Sequence, residues 1–377
     1  MKVVIAIDSF KGSLSSTEAG NAVKEAILDI DSTADVAVRP LADGGEGTVS
    51  ALAKSTDSEC TCISVCGPLM RPVDAAYCII KKTRTAVIEI AAAAGITLIN
   101  SAEKNPLKTT TYGVGELIRD AIKRGCRRFI IGLGGSVTND GGAGMLAALG
   151  YELLNADGKP IALGAQGLSE LCEIKTENAL PELLDCEFNI ACDVTNTLCG
   201  ENGCSAVFGA QKGATPKMIK DMDLWLESYA KISAKVSANA DKDRAGTGAA
   251  GGLGFAFLTF LGAKLKSGIE LVLEETELER YVKEADIVVT GEGRLDAQTV
   301  MGKAPIGVAR LAKKHKKKVI AFCGAAADGA DAVNEHGIDA FFPILQSVCT
   351  LNEALDKENA YKNLKNTATQ VFRLLTI

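Results

Sequence analysis

Residues 3–7 (Val3, Val4, Ile5, Ala6, Ile7) form an unbroken apolar run of strand length, the pattern of a parallel strand covered on both faces. The loop Asp8-Ser9-Phe10-Lys11-Gly12 follows, and Ser15 with Glu18 three residues later makes a capping box. Ala19, Ala22, Val23, Ala26, Ile27 and Ile30 then recur at helical spacing as a single apolar stripe. A second strand is expected at 36–39, and Leu41-Ala42-Asp43-Gly44-Gly45-Glu46-Gly47 leads into a short helix from Thr48. The same alternation returns at the other end of the chain. A strand at 287–290 runs into the loop 291–296, and Pro305 opens a helix at its favoured first position. Strands at 318–322 and 340–344 enclose a helix ending near Gly337, and Thr350 with Glu353 caps one long last helix.

The middle of the chain follows a different order. Residues 60–77 place two strands close together around the turn signal Gly67-Pro68-Leu69-Met70-Arg71-Pro72, which predicts antiparallel pairing. Further strands are expected at 85–90, 129–133 and 188–192, with helices over 114–124, closed by Gly125, and over 215–238, capped by Thr215. The fold class is therefore α/β: a discontinuous Rossmann-like doubly wound domain, residues 1–61 and 284–377, with a mixed α/β domain inserted at 62–283. Residues 245–263 carry no charge and approach membrane-span length. Six of them are glycine, so a buried glycine-rich loop entering a core helix is expected instead.

Composition narrows the function. A chain of 377 residues is too long for one ordinary domain, and 47% hydrophobic with 23% charged residues is a globular mixture. A net charge of -6 with a pI near 5.3 argues against a nucleic-acid partner, since phosphate binding needs a basic face. The only histidines, His315 and His336, read as surface residues, which removes zinc-hydrolase and Ser-His-Asp chemistry. Twelve scattered cysteines without a CxxC are expected to be reduced thiols. The opening apolar run is too short for a signal-peptide core, so the protein is expected in the cytoplasm with no membrane partner. The 38 glycines exceed the usual ~7% share, so where they fall becomes informative.

Ligands in open α/β sheets bind beyond the carboxyl ends of the strands. Five loops in such positions carry an acid: residues 8–12, 42–47, 132–142, 191–194 and 291–299. Glycine lets backbone N–H groups approach a phosphate, while Asp, Glu and Asn oxygens suit a hard cation such as magnesium. Together they describe a metal-nucleotide site. No Walker motif is present, and Gly246-Thr247-Gly248-Ala249-Ala250-Gly251 matches GxGxxG without the strand that should precede it.

Taken together the loops resemble the bacterial type I glycerate kinases. The likeness extends to residues 89–96, 110–118, Thr195-Asn196, 207–213, 249–254 and Gly302-Lys303-Ala304-Pro305, and so covers nearly the whole chain. Ala210 and Thr197 stand where the family commonly has proline. The resemblance implies ATP-dependent phosphorylation of D-glycerate with Mg2+, in a cleft between the two domains, giving 2-phosphoglycerate ahead of 3-phosphoglycerate. Within it Asp193, an isolated acid directly after a strand, is the expected base, with Asp43 or Asp296 as runners-up. Lys11 and Arg294 are the expected cationic clamps, and Asp8, Ser9, Asp43, Gly44 and Gly45 the substrate contacts. Gly134, Gly135, Ser136, Asn139 and Asp140 are expected to cradle the nucleotide, and Asp43, Glu46, Glu292 and Asp296 to face the metal. A kinase for another small hydroxy acid and an NAD-dependent hydroxy-acid dehydrogenase are the alternatives; the second would want GxGxxG after the first strand and a histidine. Oligomeric state is not legible in the sequence.

Overall fold

A computed structural model describes residues 1–41, 52 and 56–376. The chain forms two compact units, Met1–Gly44 with Gly268–Ile377, and Gly45–Ser267. Both crossings fall earlier in the chain than positions 62 and 284. At the second, the helices Gly268–Glu275 and Leu278–Glu284 join the first unit, where Ile269 packs so closely on Gly307 that a Cβ there would lie 2.5 Å from it.

In chain order the first unit contributes β1 (Lys2–Ile5) and β2 (Asp35–Val38). The second holds β3 (Ser58–Cys66), β4 (Pro72–Ile80), β5 (Thr85–Glu89), β6 (Arg128–Gly132), β7 (Glu152–Leu154), β8 (Glu173–Lys175), β9 (Glu187–Ala191) and β10 (Lys264–Lys266). The chain then returns for β11 (Ile287–Leu295), β12 (Lys318–Ala326) and β13 (Ala340–Pro343).

The first unit is a parallel sheet in the order β13-β12-β11-β1-β2, as the alternating apolar strands and helices predict. Val3, Ile5 and Ile7 bury against Ala19, Ala22, Val23, Ala26 and Ile27 of the helix Ser16–Ile30, and against Leu364, Ala368 and Phe372 of the helix Lys357–Leu375. The expected single last helix is two, Leu351–Leu355 and Lys357–Leu375. Asp356 separates them: its backbone is extended (φ -59°, ψ 130°) and its carboxylate accepts from the Asn359 amide at 3.0 Å, which starts a new helix.

The second unit has the sheet order β10-β9-β6-β5-β4-β3. Its first four strands are parallel, while β4 and β3 form the expected antiparallel hairpin. The helix Tyr112–Lys123 is followed by Gly125 at φ +85°. The helix Pro216–Ser233 is capped by Thr215 as expected but stops before 238, with the Ser233 hydroxyl turned back onto the Tyr229 carbonyl. Three-residue strands β7, β8 and β10 were not anticipated, being too short to show a period. The uncharged stretch becomes the buried helix Ala249–Phe260, entered through Ala250, Gly251 and Gly252 at φ 52°, 69° and 90°. No described helix is long and apolar enough to cross a membrane.

The thiols correct one expectation. Cys60 and Cys78 face each other in the β3–β4 register and are joined as a disulfide. Residues directly opposite in an antiparallel pair hold their Cβ atoms close enough for such a bridge, which spacing along the chain does not reveal. The other ten cysteines are free.

Candidate functional site

In the first unit the strand order reverses between β1 and β11, and the loop after β1 runs against the second half of β11, which continues as strand through Leu295 where a loop from 291 was expected. The Asp8 amide donates to the Gly291 carbonyl at 2.9 Å, and a Cβ on Gly293 would lie 3.2 Å from the Lys11 nitrogen. Asp8 is buried and accepts from the Ser9 amide, whereas Lys11 is exposed and precedes Gly12 at φ +84°. Along β11, buried Glu292 accepts from the Thr299 hydroxyl at 2.7 Å. Lys303 Nζ lies 3.6 Å from Glu292 and 3.4 Å from Asp296, and Arg294 reaches Asp296 at 3.5 Å. Against the cost of burial, the Gln298 amide and Lys303 hold the Asp296 carboxyl below its ordinary range. The sequence singled out neither Thr299 nor Lys303 as site residues; Lys303 stands at the N-cap of the helix Ala304–Lys314, just before the helix-opening Pro305. Asp43, Gly44, Gly45 and Glu46 lie outside the described residues.

In the second unit, register pairs Glu89↔Gly132 and Gly132↔Ala191 bring three strand ends to one edge of the sheet. The loop after β6 leaves at that edge. Its tip reaches the surface: Gly134 is exposed, Gly135 half-buried at φ +71°, and Ser136 8% exposed. Backbone bonds fix the tip to the neighbouring turn, Ile96 N–H to Gly135 at 2.8 Å and Val137 N–H to Ala94 at 3.0 Å.

Behind the tip the loop is held by side chains. Asn139 and Asp140, expected beside the nucleotide, are fully enclosed. Asp140 accepts from the Thr111 amide and hydroxyl (2.8 and 2.9 Å), the Thr110 hydroxyl (3.3 Å) and the amides of Gly142 and Gly144 (both 3.2 Å). Burial raises its pKa, and the Thr111 and glycine donors work against that rise. A Cβ on Gly144 would lie 2.1 Å from Thr110 Oγ1, so this packing requires glycine. Asn139 Nδ2 donates to Ser205 at 2.8 Å. The second glycine-rich segment backs the first, with the Gly141 amide donating to Gly251 at 3.0 Å.

Asp193 is exposed two residues beyond β9, the strand adjacent to β6. Lys212, which sequence reasoning passed over, is 2% exposed and donates to Ser136 Oγ at 3.1 Å and the Thr138 carbonyl at 2.6 Å. Its setting in the glycine-flanked segment 207–213 was the one available signal. Among the described residues, no three His, Cys, Asp or Glu side chains converge as a metal site.

A parallel sheet with acids and cations at its switch point, and a glycine turn at the strand ends of a second sheet, suit the handling of phosphate groups, and the relatives make the chain an enzyme of the phosphotransferase class. The family model described as the glycerate kinase family matches residues 3–376. The chain is 45% identical to the glycerate 2-kinase of Escherichia coli K12, covering 100% of this chain and 98% of that one. It is likewise 45% identical to the glycerate kinase of Haemophilus influenzae, over 100% and 99% of the two chains. A crystal structure assigned to glycerate kinase 2 of Salmonella typhimurium LT2 superposes with a TM-score of 0.87 at 46% identity, covering 100% and 98%. The chain belongs to the glycerate kinase family.

Proposed function

We propose that the protein transfers the γ-phosphoryl group of ATP, as its magnesium complex, to the 2-hydroxyl of D-glycerate, releasing ADP and 2-phosphoglycerate. The observation that carries this reading is that the turn 134–136, with Gly134 exposed at its tip, and the exposed Asp193 carboxylate leave adjacent parallel strands at one sheet edge. Family membership supplies the choice of acid.

Glycines at the turn let the backbone approach nucleotide phosphates. As the glycerate oxygen bonds to the γ-phosphorus, the bond to the ADP oxygen breaks and the hydroxyl proton passes to Asp193; Asp43 and Asp296 are the alternative acceptors. Lys11 and Arg294 offset charge on the carboxylate or the transferring group, with Asp8, Ser9, Asp43, Gly44 and Gly45 around the substrate. Magnesium binds through one or two carboxylates together with substrate phosphates, and Glu292 on β11 and Asp296 just beyond its end have that donor chemistry. Asp43 and Glu46 complete the proposed set. When bound, the ion neutralises phosphate charge.

The test is ADP release measured over a panel of small hydroxy acids, with the product identified by phosphorus NMR. D-Glycerate as the preferred acceptor, 2-phosphoglycerate as product, and a fall in kcat of about 10²–10⁴ in Asp193→Asn support the reading. Release with a different acid alone overturns the substrate, and 3-phosphoglycerate overturns the position. Near-normal turnover of Asp193→Asn removes it as the base.

A further inference from the structure

Lys212 has no part in the scheme above, yet it lies directly behind the turn 134–136. Its ammonium is buried, and among the described residues no carboxylate lies within ion-pair reach of it. An unpaired buried charge is costly unless its donors are used. Both acceptors it finds, Ser136 Oγ and the Thr138 carbonyl, belong to the loop after β6.

We propose that Lys212 is a positioning residue for nucleotide binding, turning the Ser136 hydroxyl outward as a donor to a phosphate oxygen and setting a positive charge behind the turn. An ammonium can only donate, so Ser136 Oγ is the acceptor of the 3.1 Å bond. The serine proton is then free for another partner, and Ser136 makes no other side-chain hydrogen bond among the described residues. The glycines before it are the part of the loop that reaches the surface. A phosphate oxygen, which only accepts, matches a hydroxyl so committed. This inference rests on reading 134–136 as the nucleotide cradle.

The charge is also placed where it can be lost. Burial lowers the Lys212 pKa to about 8, while the Asp140 charge acts to raise it. Asp140 and Cys204 are the titratable groups facing it from the loop and from the helix Cys204–Phe208, and Lys104 abuts the neighbouring Gly213. Burial pushes the Cys204 thiol up to about 12, so it stays neutral through this range.

The test is MgATP binding by titration calorimetry, without acceptor, between pH 7 and pH 9. If only charged Lys212 supports the turn, wild-type affinity falls about tenfold across that interval, as a single titration near pH 8 requires. Lys212→Met is expected to bind roughly tenfold more weakly at pH 7 with no further fall, and Lys212→Arg to remain tight and flat. The kcat of each at saturating nucleotide should stay within about threefold of wild type, separating positioning from chemistry. A flat wild-type profile overturns the proposal, as does a fall that persists in Lys212→Met. The wild-type profile decides the matter even if Lys212→Met does not fold. Gly135→Val and Ser136→Ala distinguish the two readings: if neither weakens MgATP binding, the cradle reading fails and takes this inference with it. If Gly135→Val weakens binding while the wild-type profile is flat, the inference alone fails.

Discussion

Asp140 is enclosed on every side and justified by the five donors it gathers from Thr110, Thr111, Gly142 and Gly144. Asp140→Ala leaves those donors buried without an acceptor, and roughly 3–5 kcal/mol of stability should be lost, read as a lower urea midpoint. Lys212 makes a prediction with a definite sign. Unfolded, it keeps its proton to about 10.5; folded, it releases it near 8. Between those values the unfolded state binds more protons, so stability rises with pH. Wild type should therefore gain roughly 2 kcal/mol relative to Lys212→Met between pH 7.5 and pH 9.5, measured by denaturant unfolding. A gain of opposite sign would mean that the amine is better held charged than neutral. These two residues also show where sequence reading stops. The acid-bearing loop was legible from its glycines, but whether Asp140 faces a ligand or the interior depends on Thr110 and Thr111, some thirty residues away. A lysine in a glycine-flanked segment resembles any solvated lysine until its 76-residue reach to Ser136 is seen.

At the scale of elements, the entry to the helix Ala249–Phe260 is a left-handed kink that fits under the loop after β6. A Cβ on Gly251 would lie 2.1 Å from the Thr138 carbonyl, the same carbonyl that Lys212 holds. Gly251→Ala combines that overlap with a φ of +69° and should cost roughly 2–5 kcal/mol, with weaker MgATP binding as the loop shifts. An unchanged melting temperature and affinity would show that the two glycine segments are independent. Strands such as β1 and β6 were readable because unbroken apolar runs report burial on both faces, and Ser15, Thr215 and Thr350 announced their helices through capping residues. The break at Asp356 is hidden in the sequence because helix-forming residues surround it, although aspartate is itself a favoured N-cap residue. The Cys60–Cys78 bridge required the β3–β4 register, which no linear spacing contains.

For the whole molecule, the two units differ in how the chain builds them. The second is one continuous stretch with its own large core around Phe129, Phe188 and Phe257. A fragment of residues 56–267 should therefore melt cooperatively by circular dichroism, whereas residues 1–41 alone should remain unfolded; a structured short fragment would contradict this. The doubly wound sheet was legible because its βα alternation appears at both chain ends, and the hairpin marked the inserted part. The crossing points were harder to place, because the helices Gly268–Glu275 and Leu278–Glu284 carry no sign of which core they join. In the first sheet β1 is an interior strand, with Val3 paired to Val36 on one side and to Ile287 on the other. On the ribosome β1 emerges first and its partner β11 some 284 residues later, roughly 15–60 s at ordinary rates of synthesis. For that interval an apolar strand has one edge open, available to a chaperone or to another nascent chain.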